Sequence, residues 1–205
     1  TIGNGSNDVL EMLARVFLSQ DNESIVSQHS FVVYPTVTKS TGAALRVIPA
    51  KNYGQDLDAT LDAISEKTRM VFIANPNNPT GTWVTSNTLT EFLDRIPPGV
   101  LVVLDEAYFE YVDKPDYPNG ISLSEKYANL IVTRTFSKAY GLAALRIGYS
   151  VSNPEIADLM NRVRQPFNVN AMSMVAALAA LDDQAHVQKS AELNSSEIGR
   201  AACRE

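Results

Sequence analysis

Three short apolar runs, separated by stretches with the apolar spacing of helices, constrain the fold of this chain most strongly. The runs cover residues 70–74, 100–104 and 130–133. A strand in which polar and apolar residues do not alternate is typical of a parallel sheet that is covered on both faces. Because helical stretches separate the runs, we predict an α/β fold with a mostly parallel open sheet and helices on both faces.

The other elements are predicted from apolar spacing and from helix start signals. Thr85 or Ser86 suits the cap of one helix, and Pro154 occupies the favoured first position of another. A chain of 205 residues is long enough for one sizeable domain with a buried core. Further strands are predicted over 24–28, 43–49 and 147–151, and helices over 9–18, 58–66, 86–95, 154–164, 171–181 and 184–193.

Composition argues against several classes of protein. The net charge of -6, from 17 basic and 23 acidic side chains, does not suit a surface for nucleic acid or an anionic membrane. The single cysteine, Cys203, rules out an internal disulfide framework and a cysteine-rich metal site, and no metal is predicted. No apolar run reaches membrane-spanning length and no signal peptide opens the chain, which indicates a cytoplasmic protein.

Lys138 stands in a short polar turn between the strands predicted at 130–133 and 147–151. Burial of an ammonium group is costly unless the group is paired or used in chemistry. A desolvated lysine also acts readily as a nucleophile. We therefore interpret Lys138 as an amine that bonds covalently to a carbonyl cofactor. The alternative is a surface lysine in a polar turn, which is the commonest environment of lysine.

Polar residues directly follow two of the apolar runs. Residues 75–81 contain two prolines, three asparagines and a glycine, which predict a tight, pre-shaped loop. Asp105 has three interpretations: the metal-binding acid of a P-loop nucleotidase, a helix cap, or a carboxylate that faces a cationic ring nitrogen. The first interpretation needs a G-x-x-x-x-G-K-[ST] loop, and the chain contains no Gly-Lys pair.

The glycines at positions 3 and 5 precede a predicted helix, where backbone N–H groups can surround an anion. The alternative is a flexible turn followed by a helix that Ser6, Asn7 or Asp8 caps.

Two aromatic residues, Phe31 and Tyr34, lie just past the strand predicted over 24–28. Ligands of open α/β sheets bind at such strand ends. Either ring is suited to stack on a planar ligand, and equally both suit the core.

Three motifs occur in the order and at the spacing of a known family. Together they resemble the class I/II pyridoxal-phosphate-dependent aminotransferases of fold type I, over about residues 1–190. Within that family, the opening at 3–8 and the run at 137–142 are most similar to the histidinol-phosphate branch. The motifs are Asn75-Pro-Asn-Asn-Pro-Thr-Gly81, Asp105-Glu-Ala-Tyr108 and Thr135-Phe-Ser-Lys-Ala-Tyr-Gly-Leu-Ala-Ala-Leu-Arg-Ile-Gly-Tyr149.

The resemblance implies that the chain is a fragment, truncated at both ends. Residues 1–190 would be part of the large domain that binds pyridoxal 5'-phosphate, and 191–205 would be a tail of uncertain structure. The C-terminal small domain would be absent. We expect exposed apolar surface where the missing segments pack, no activity of the fragment alone, and a homodimer at full length.

The resemblance also assigns roles to residues. Lys138 would bond to the cofactor's aldehyde and move the substrate's α-proton, and Asp105 would pair with the pyridinium nitrogen. Asn78 and Tyr108 would hydrogen-bond the phenolic oxygen of the ring, and Phe31 would lie on the ring face.

A second group of residues would hold the phosphate, to which an arginine adds charge-assisted hydrogen bonds. Two departures from the family pattern are Asn7, where an acid is frequent, and Ala144, where glycine is usual. The peptide bond between Asn78 and Pro79 is expected to be cis.

The residues that would hold the phosphate group are Ser6, Asn7, Asp8, Thr135, Ser137 and Arg146.

The activity that the resemblance implies is amino-group transfer between small molecules. The donor would be histidinol phosphate or a related amino acid, and the acceptor a 2-oxo acid such as 2-oxoglutarate. Two alternatives stay open: a pyridoxal-phosphate-dependent decarboxylase of a phosphorylated amino acid, and a non-catalytic ligand-binding module. No nucleic-acid or membrane partner is expected.

Overall fold

Seven strands form one sheet in the computed structural model, which describes residues 1–201 and side chains up to residue 197. The strands are β1 (Ile2–Gly3), β2 (Glu23–Ser27), β3 (Ala44–Ile48), β4 (Thr68–Ala74), β5 (Leu101–Asp105), β6 (Leu130–Thr135) and β7 (Gly148–Val151). The helices are α1 (Ser6–Phe17), α2 (Val33–Ser40), α3 (Leu57–Asp62), α4 (Ser86–Arg95), α5 (Gly120–Ser124), α6 (Pro154–Val163), α7 (Ala171–Asp182) and α8 (Gln184–Ala201). Two single-turn 3-10 helices cover Phe109–Tyr111 and Ala143–Leu145.

The strands lie in the order β1-β7-β6-β5-β4-β2-β3. Strands β2 to β6 pair in parallel, whereas β7 is antiparallel to both β6 and β1. A parallel pair needs a long crossover, and the connection from β6 to β7 contains only a single-turn helix. The antiparallel direction of β7 follows from this short connection. The prediction of a mostly parallel sheet is confirmed.

A separate hydrophobic core covers each face of the sheet. Phe72 on β4 packs against one face with α1, α2 and α6, and its neighbour Ile73 packs against the other face with α4. Successive strand residues point to opposite faces, so a strand covered on both sides is apolar at every position. This arrangement explains the apolar runs and confirms the predicted helices on both faces.

Helix α2 is absent from the sequence prediction. Its residues are mostly β-branched, aromatic or hydroxyl-bearing, and such residues favour helices weakly. Packing compensates, because Tyr34, Val37 and Thr38 are buried against the sheet. Pro35 lies in the first turn of α2, where a missing N–H costs little.

Helix α8 extends beyond its predicted end at residue 193 and crosses residue 190, where the sequence predicts the start of a tail. Residues 202–205, which include Cys203, lie outside the described residues. The division of the chain into a partial large domain, a tail and an absent small domain stays a prediction.

Helix α7 exposes a continuous set of apolar side chains. A helix that is apolar on all sides is typically surrounded by protein. Exposed apolar surface is thus present on α7, and the expectation that further segments of the protein pack there stays a prediction. The exposed apolar residues of α7 are Met172, Met174, Val175, Leu178 and Leu181.

None of the helices within residues 1–201 has both the length and the apolar character needed to cross a membrane.

Candidate cofactor site

A cavity of about 220 Å³ opens at the carboxyl ends of β4, β5 and β6. In an open α/β sheet this is the edge at which ligands bind. Every predicted site residue except Asp8 lines the cavity. The lining residues are Ser6, Asn7, Phe31, Tyr34, Ala74, Pro76, Asn78, Asp105, Ala107, Tyr108, Thr135, Ser137, Lys138 and Arg146.

Asp105 is the last residue of β5 and is buried at the base of the cavity. Its Oδ2 accepts a hydrogen bond of 2.8 Å from the Tyr34 hydroxyl, and its Oδ1 accepts one of 3.2 Å from the Ala107 N–H. Burial raises the pKa of Asp105 above its ordinary value, and these two hydrogen bonds and the charge of Lys138 act in the opposite direction. Both carboxylate oxygens are thus fixed, and the interpretation of Asp105 as a helix cap does not fit its place at the end of a strand.

The two aromatic candidates after β2 occupy different environments. Tyr34 is buried, and its ring stacks on Phe72 with the centroids 4.9 Å apart. Phe31 is half-buried, lies edge-on to Tyr34 and presents its ring to the cavity. Phe31 is therefore placed to contact a ring in the cavity, while Tyr34 belongs to the core and directs only its hydroxyl to the site. Sequence reasoning missed the bond to Asp105, although a buried tyrosine generally finds a partner for its hydroxyl.

Lys138 lines the cavity with an exposed side chain. Its Nζ lies 5.2 Å from the centroid of the Tyr108 ring. Phe136 and Ala139 are buried on either side and anchor the turn that follows β6, so the lysine projects away from the core. The expectation of a desolvated lysine is wrong for this structure, because no described element covers the side chain.

The start of α1 forms one side of the cavity. Gly5 is the N-cap residue, and no side chain caps the helix. The prediction that Ser6, Asn7 or Asp8 caps α1 is therefore wrong. The uncapped N–H groups and the helix dipole together favour an anion at this end.

Arg146 faces the start of α1 from the segment before β7. Its Nη1 donates to Ser137 Oγ at 3.1 Å and to the Ala143 carbonyl at 3.0 Å. The Ser137 N–H in turn donates to Thr135 Oγ1 at 3.2 Å. A guanidinium held in this way beside a helix N-terminus suits a phosphate group.

Asp8 points away from the cavity. Its Oδ2 accepts hydrogen bonds of 2.8 Å from the Asn4 N–H and of 2.8 Å from Asn168 Nδ2. These bonds tie the turn before α1 to the loop before α7. The structure thus gives Asp8 a part in fixing this turn and no contact with the cavity.

The loop at residues 75–81 brings Asn78 to Tyr108. Asn78 Nδ2 lies 3.4 Å from the Tyr108 hydroxyl, and both side chains line the cavity. The predicted cis bond between Asn78 and Pro79 is confirmed, and a second cis bond precedes Pro76.

Behind the site lies a buried ion pair that the sequence prediction omits. Glu106 is fully buried and accepts from Arg134 Nη2 at 2.7 Å and from the Gly120 N–H at 2.7 Å. The Arg134 guanidinium also lies 3.6 Å from the centroid of the Phe109 ring. Because successive residues alternate in direction, Glu106 points away from the cavity while Asp105 points into it. The ion pair fixes the turn that carries Tyr108.

The cavity is lined by an amine, a buried carboxylate, an aromatic ring and a guanidinium group. These groups belong to Lys138, Asp105, Phe31 and Arg146. These groups complement a planar cationic ring that carries an aldehyde and a phosphate. Among the side chains described up to residue 197, no three histidine, cysteine or carboxylate groups lie together so as to hold a metal ion.

The family model for aminotransferase class I and II matches residues 1–201, and the chain belongs to this family. Histidinol-phosphate aminotransferase 2 of Pseudomonas fluorescens is 57% identical over 194 residues, which are 95% of this chain and 52% of that protein. Histidinol-phosphate aminotransferase 1 of Idiomarina loihiensis is 56% identical over 195 residues, 95% of this chain and 53% of that protein. The chain therefore spans about half the length of the curated relatives that it matches.

A solved structure supports the same assignment. The histidinol-phosphate aminotransferase of Sinorhizobium meliloti, crystallised in complex with pyridoxal-5'-phosphate, superimposes with a TM-score of 0.91 at 32% identity. The match covers 98% of this chain and 55% of that one. The predicted fold type I architecture is confirmed.

Proposed function

We propose that the protein is a pyridoxal-phosphate-dependent transaminase. The proposed reaction moves an amino group between histidinol phosphate, or a related amino acid, and a 2-oxo acid such as 2-oxoglutarate. One observation carries the proposal: the cavity unites the Lys138 amine, the Asp105 carboxylate and the Arg146 guanidinium. Membership of the aminotransferase family and the names of the relatives support it.

The residues of the cavity fit this cofactor. Asp105 would hold the ring nitrogen in its protonated form, and Phe31 would lie on the ring face. Asn78 and Tyr108 would bind the phenolic oxygen. The phosphate would be held at the N-terminus of α1, with Ser6, Asn7, Thr135, Ser137 and Arg146 around it. When bound, the cofactor supplies an electron-accepting ring that stabilises negative charge at the substrate's α-carbon.

Lys138 has two proposed tasks. Its amine would bond to the cofactor's aldehyde and, once released, move the proton of the substrate's α-carbon. The exposed position of the side chain at the cavity gives it the freedom that two successive tasks require. Tyr108, whose ring lies beside Nζ, would position the amine.

Borohydride reduction tests the assignment in the protein expressed from its complete reading frame. Reduction should fix the cofactor to Lys138, as mass spectrometry of the peptides detects, and Lys138→Ala should lose both the label and the amino transfer. Lys114→Ala is the matched control, since Lys114 is an exposed lysine near the loop at 75–81 that does not line the cavity. Absence of label, or a label on a different residue, would refute the proposal.

The same protein distinguishes the two alternatives. Release of CO2 from a phosphorylated amino acid without amino transfer would replace the transaminase by a decarboxylase. A label on Lys138 without turnover of either kind would indicate a ligand-binding module. The cofactor residues do not separate these outcomes, because the orientation of the substrate determines which bond breaks.

We further infer that the protein is a homodimer in the cytoplasm. The exposed apolar face of α7 is the described surface that such an assembly would cover. Both statements are supported by the membership of the chain in the aminotransferase family.

A further inference from the structure

We propose that Tyr34 is a positioning residue of the cofactor site, which acts through Asp105 by orienting its carboxylate and keeping it ionised. This inference rests on the proposed function, because it concerns the carboxylate that would face the ring nitrogen. It adds a residue that lies outside the three sequence motifs of the family.

The geometry of the pair supports this role. The Tyr34 hydroxyl donates to Asp105 Oδ2 at 2.8 Å, and both residues are buried. The ring of Tyr34 lies between two other aromatic rings. It stacks on Phe72 at an interplanar angle of 7°, and Phe31 lies edge-on to it. The two aromatic neighbours hold the hydroxyl in place, and its bond to Oδ2 together with the Ala107 bond to Oδ1 restrains both oxygens of the carboxylate.

The electrostatics of the pair explain why the carboxylate needs such a donor. Burial raises the pKa of Asp105, which favours the neutral acid, and a neutral acid does not stabilise a protonated ring nitrogen. The hydrogen bond from Tyr34 stabilises the charged form and so lowers the pKa of Asp105. Burial and the neighbouring carboxylate hold the pKa of Tyr34 well above its ordinary value, so the hydroxyl remains a donor at physiological pH.

Other titratable groups surround the pair. Lys138 acts on Asp105 from the turn after β6, and Tyr108 and Tyr117 lie on the segment after β5. Lys138 favours the charged carboxylate, but its exposed side chain is screened by water. The buried Thr133 side chain also favours the charged form of Asp105, but the hydrogen bond from Tyr34 contributes most, so its removal should have the largest effect on Asp105.

The test is Tyr34→Phe in the protein expressed from its complete reading frame. The substitution keeps the stacked ring and removes only the hydroxyl. We expect pyridoxal 5'-phosphate to bind about tenfold more weakly at pH 7.5, as titration of the cofactor-free protein measures. On acidification, affinity should be lost at a pH about one unit higher than in the wild type, because the pKa of Asp105 rises when the donor is removed.

Tyr127→Phe is the matched control. Tyr127 also donates to an aspartate, with its hydroxyl 2.6 Å from Asp94 Oδ1, and is also buried, but neither residue lines the cavity. Its substitution should leave the affinity for the cofactor and the pH profile unchanged. An effect that follows the loss of any tyrosine hydroxyl bonded to an aspartate would appear in both variants.

Two further measurements separate positioning from packing. In an Asp105→Asn background, Tyr34→Phe should no longer shift the pH profile, since the titrating group is absent. Incorporation of 3-fluorotyrosine at position 34 keeps the fold and makes the hydroxyl a stronger donor. That substitution should shift the profile to lower pH, opposite to Tyr34→Phe.

An unchanged pH profile in both position-34 variants would overturn the inference. The same holds for an equal shift in the Asp105→Asn background. The proposed function is judged separately, by whether borohydride labels Lys138. A labelled Lys138 with no response to Tyr34→Phe would leave the transaminase proposal standing and remove Tyr34 from it.

Discussion

Arg146 and Gly5 are in such close contact that a Cβ atom on Gly5 would overlap Nη2 of the guanidinium. Gly5 also has a φ of +82°, in the left-handed region that favours glycine. The residue therefore meets two demands at once: it turns the chain into α1, and it leaves room for the cation beside the helix N-terminus. This contact explains the second glycine of the Gly-Asn-Gly opening.

Gly5→Ala should displace Arg146 and weaken cofactor binding at least tenfold. Backbone strain should also reduce the free energy of unfolding by about 1–2 kcal/mol. Gly42→Ala is the matched control, because Gly42 has a similar φ of +79° but a Cβ there would lie 3.7 Å from its nearest neighbour, in Gln20. Denaturant unfolding and cofactor titration should show that both variants lose stability and that only Gly5→Ala loses affinity. Equal losses of affinity would contradict this account.

Substitutions at Asp105 test the proposal that its charge faces the cofactor. Asp105→Ala should lower kcat by about 100-fold or more, which is the scale of losing an electrostatic partner at a reacting centre. Asp105→Glu keeps the charge and should lose far less. Steady-state kinetics with both variants gives the comparison, and equal losses would mean that no pyridinium partner stands at this position.

The fold was predictable because the sheet is covered on both faces, which leaves apolar residues such as Phe72 and Ile73 at successive positions. Helix α2 was not predictable from its own residues, since its stability comes from the burial of Tyr34 and Val37. Local propensity carries no information on such packing.

The candidate site, like the fold, was predictable only in part. Residues of the three motifs were predicted to line one cavity, and the cavity contains Asn78, Asp105 and Lys138. The hydrogen bond between Tyr34 and Asp105 joins positions 71 residues apart and depends on where α2 packs. No local sequence pattern therefore predicts it. The exposure of Lys138 likewise depends on packing, because the burial of Phe136 and Ala139 on either side makes the lysine project away from the core.

The buried pair of Glu106 and Arg134 predicts a pH-dependent loss of stability. Arg134→Met leaves the Glu106 carboxylate buried without its cation, at a cost of about 3–5 kcal/mol when it is ionised. Burial already holds the pKa of Glu106 above its ordinary 4.5, and removal of Arg134 raises the pKa further. A raised acid pKa means that the folded state retains the proton at a higher pH than the unfolded state does.

The destabilisation that Arg134→Met causes through the buried charge of Glu106 is therefore small below about pH 4.5. It grows as the pH rises through the folded-state pKa of Glu106. Urea unfolding of Arg134→Met should show a deficit relative to wild type that is larger at pH 8 than at pH 5. The double variant Glu106→Gln/Arg134→Met should recover part of the loss and show a weaker trend, because Glu110, whose pKa Arg134 also lowers, is still present. Arg95→Met, which breaks an exposed pair of 2.8 Å with Asp58, should cost under about 1 kcal/mol at every pH. A deficit independent of pH would show that Glu106 is not the group responsible.

The apolar face of α7 predicts the behaviour of the protein in solution. Val175 is 67% exposed on α7, and Val47 is 50% exposed on β3 at the other edge of the sheet, so the two valines form a matched pair. Because both are exposed, Val175→Lys and Val47→Lys should each change the free energy of unfolding of one subunit by less than about 0.5 kcal/mol.

If a second copy covers α7, a lysine there must be buried without a partner, and association should weaken. Sedimentation velocity should then show a smaller species for Val175→Lys and an unchanged one for Val47→Lys. An unchanged species for Val175→Lys would place the interface away from the middle of α7.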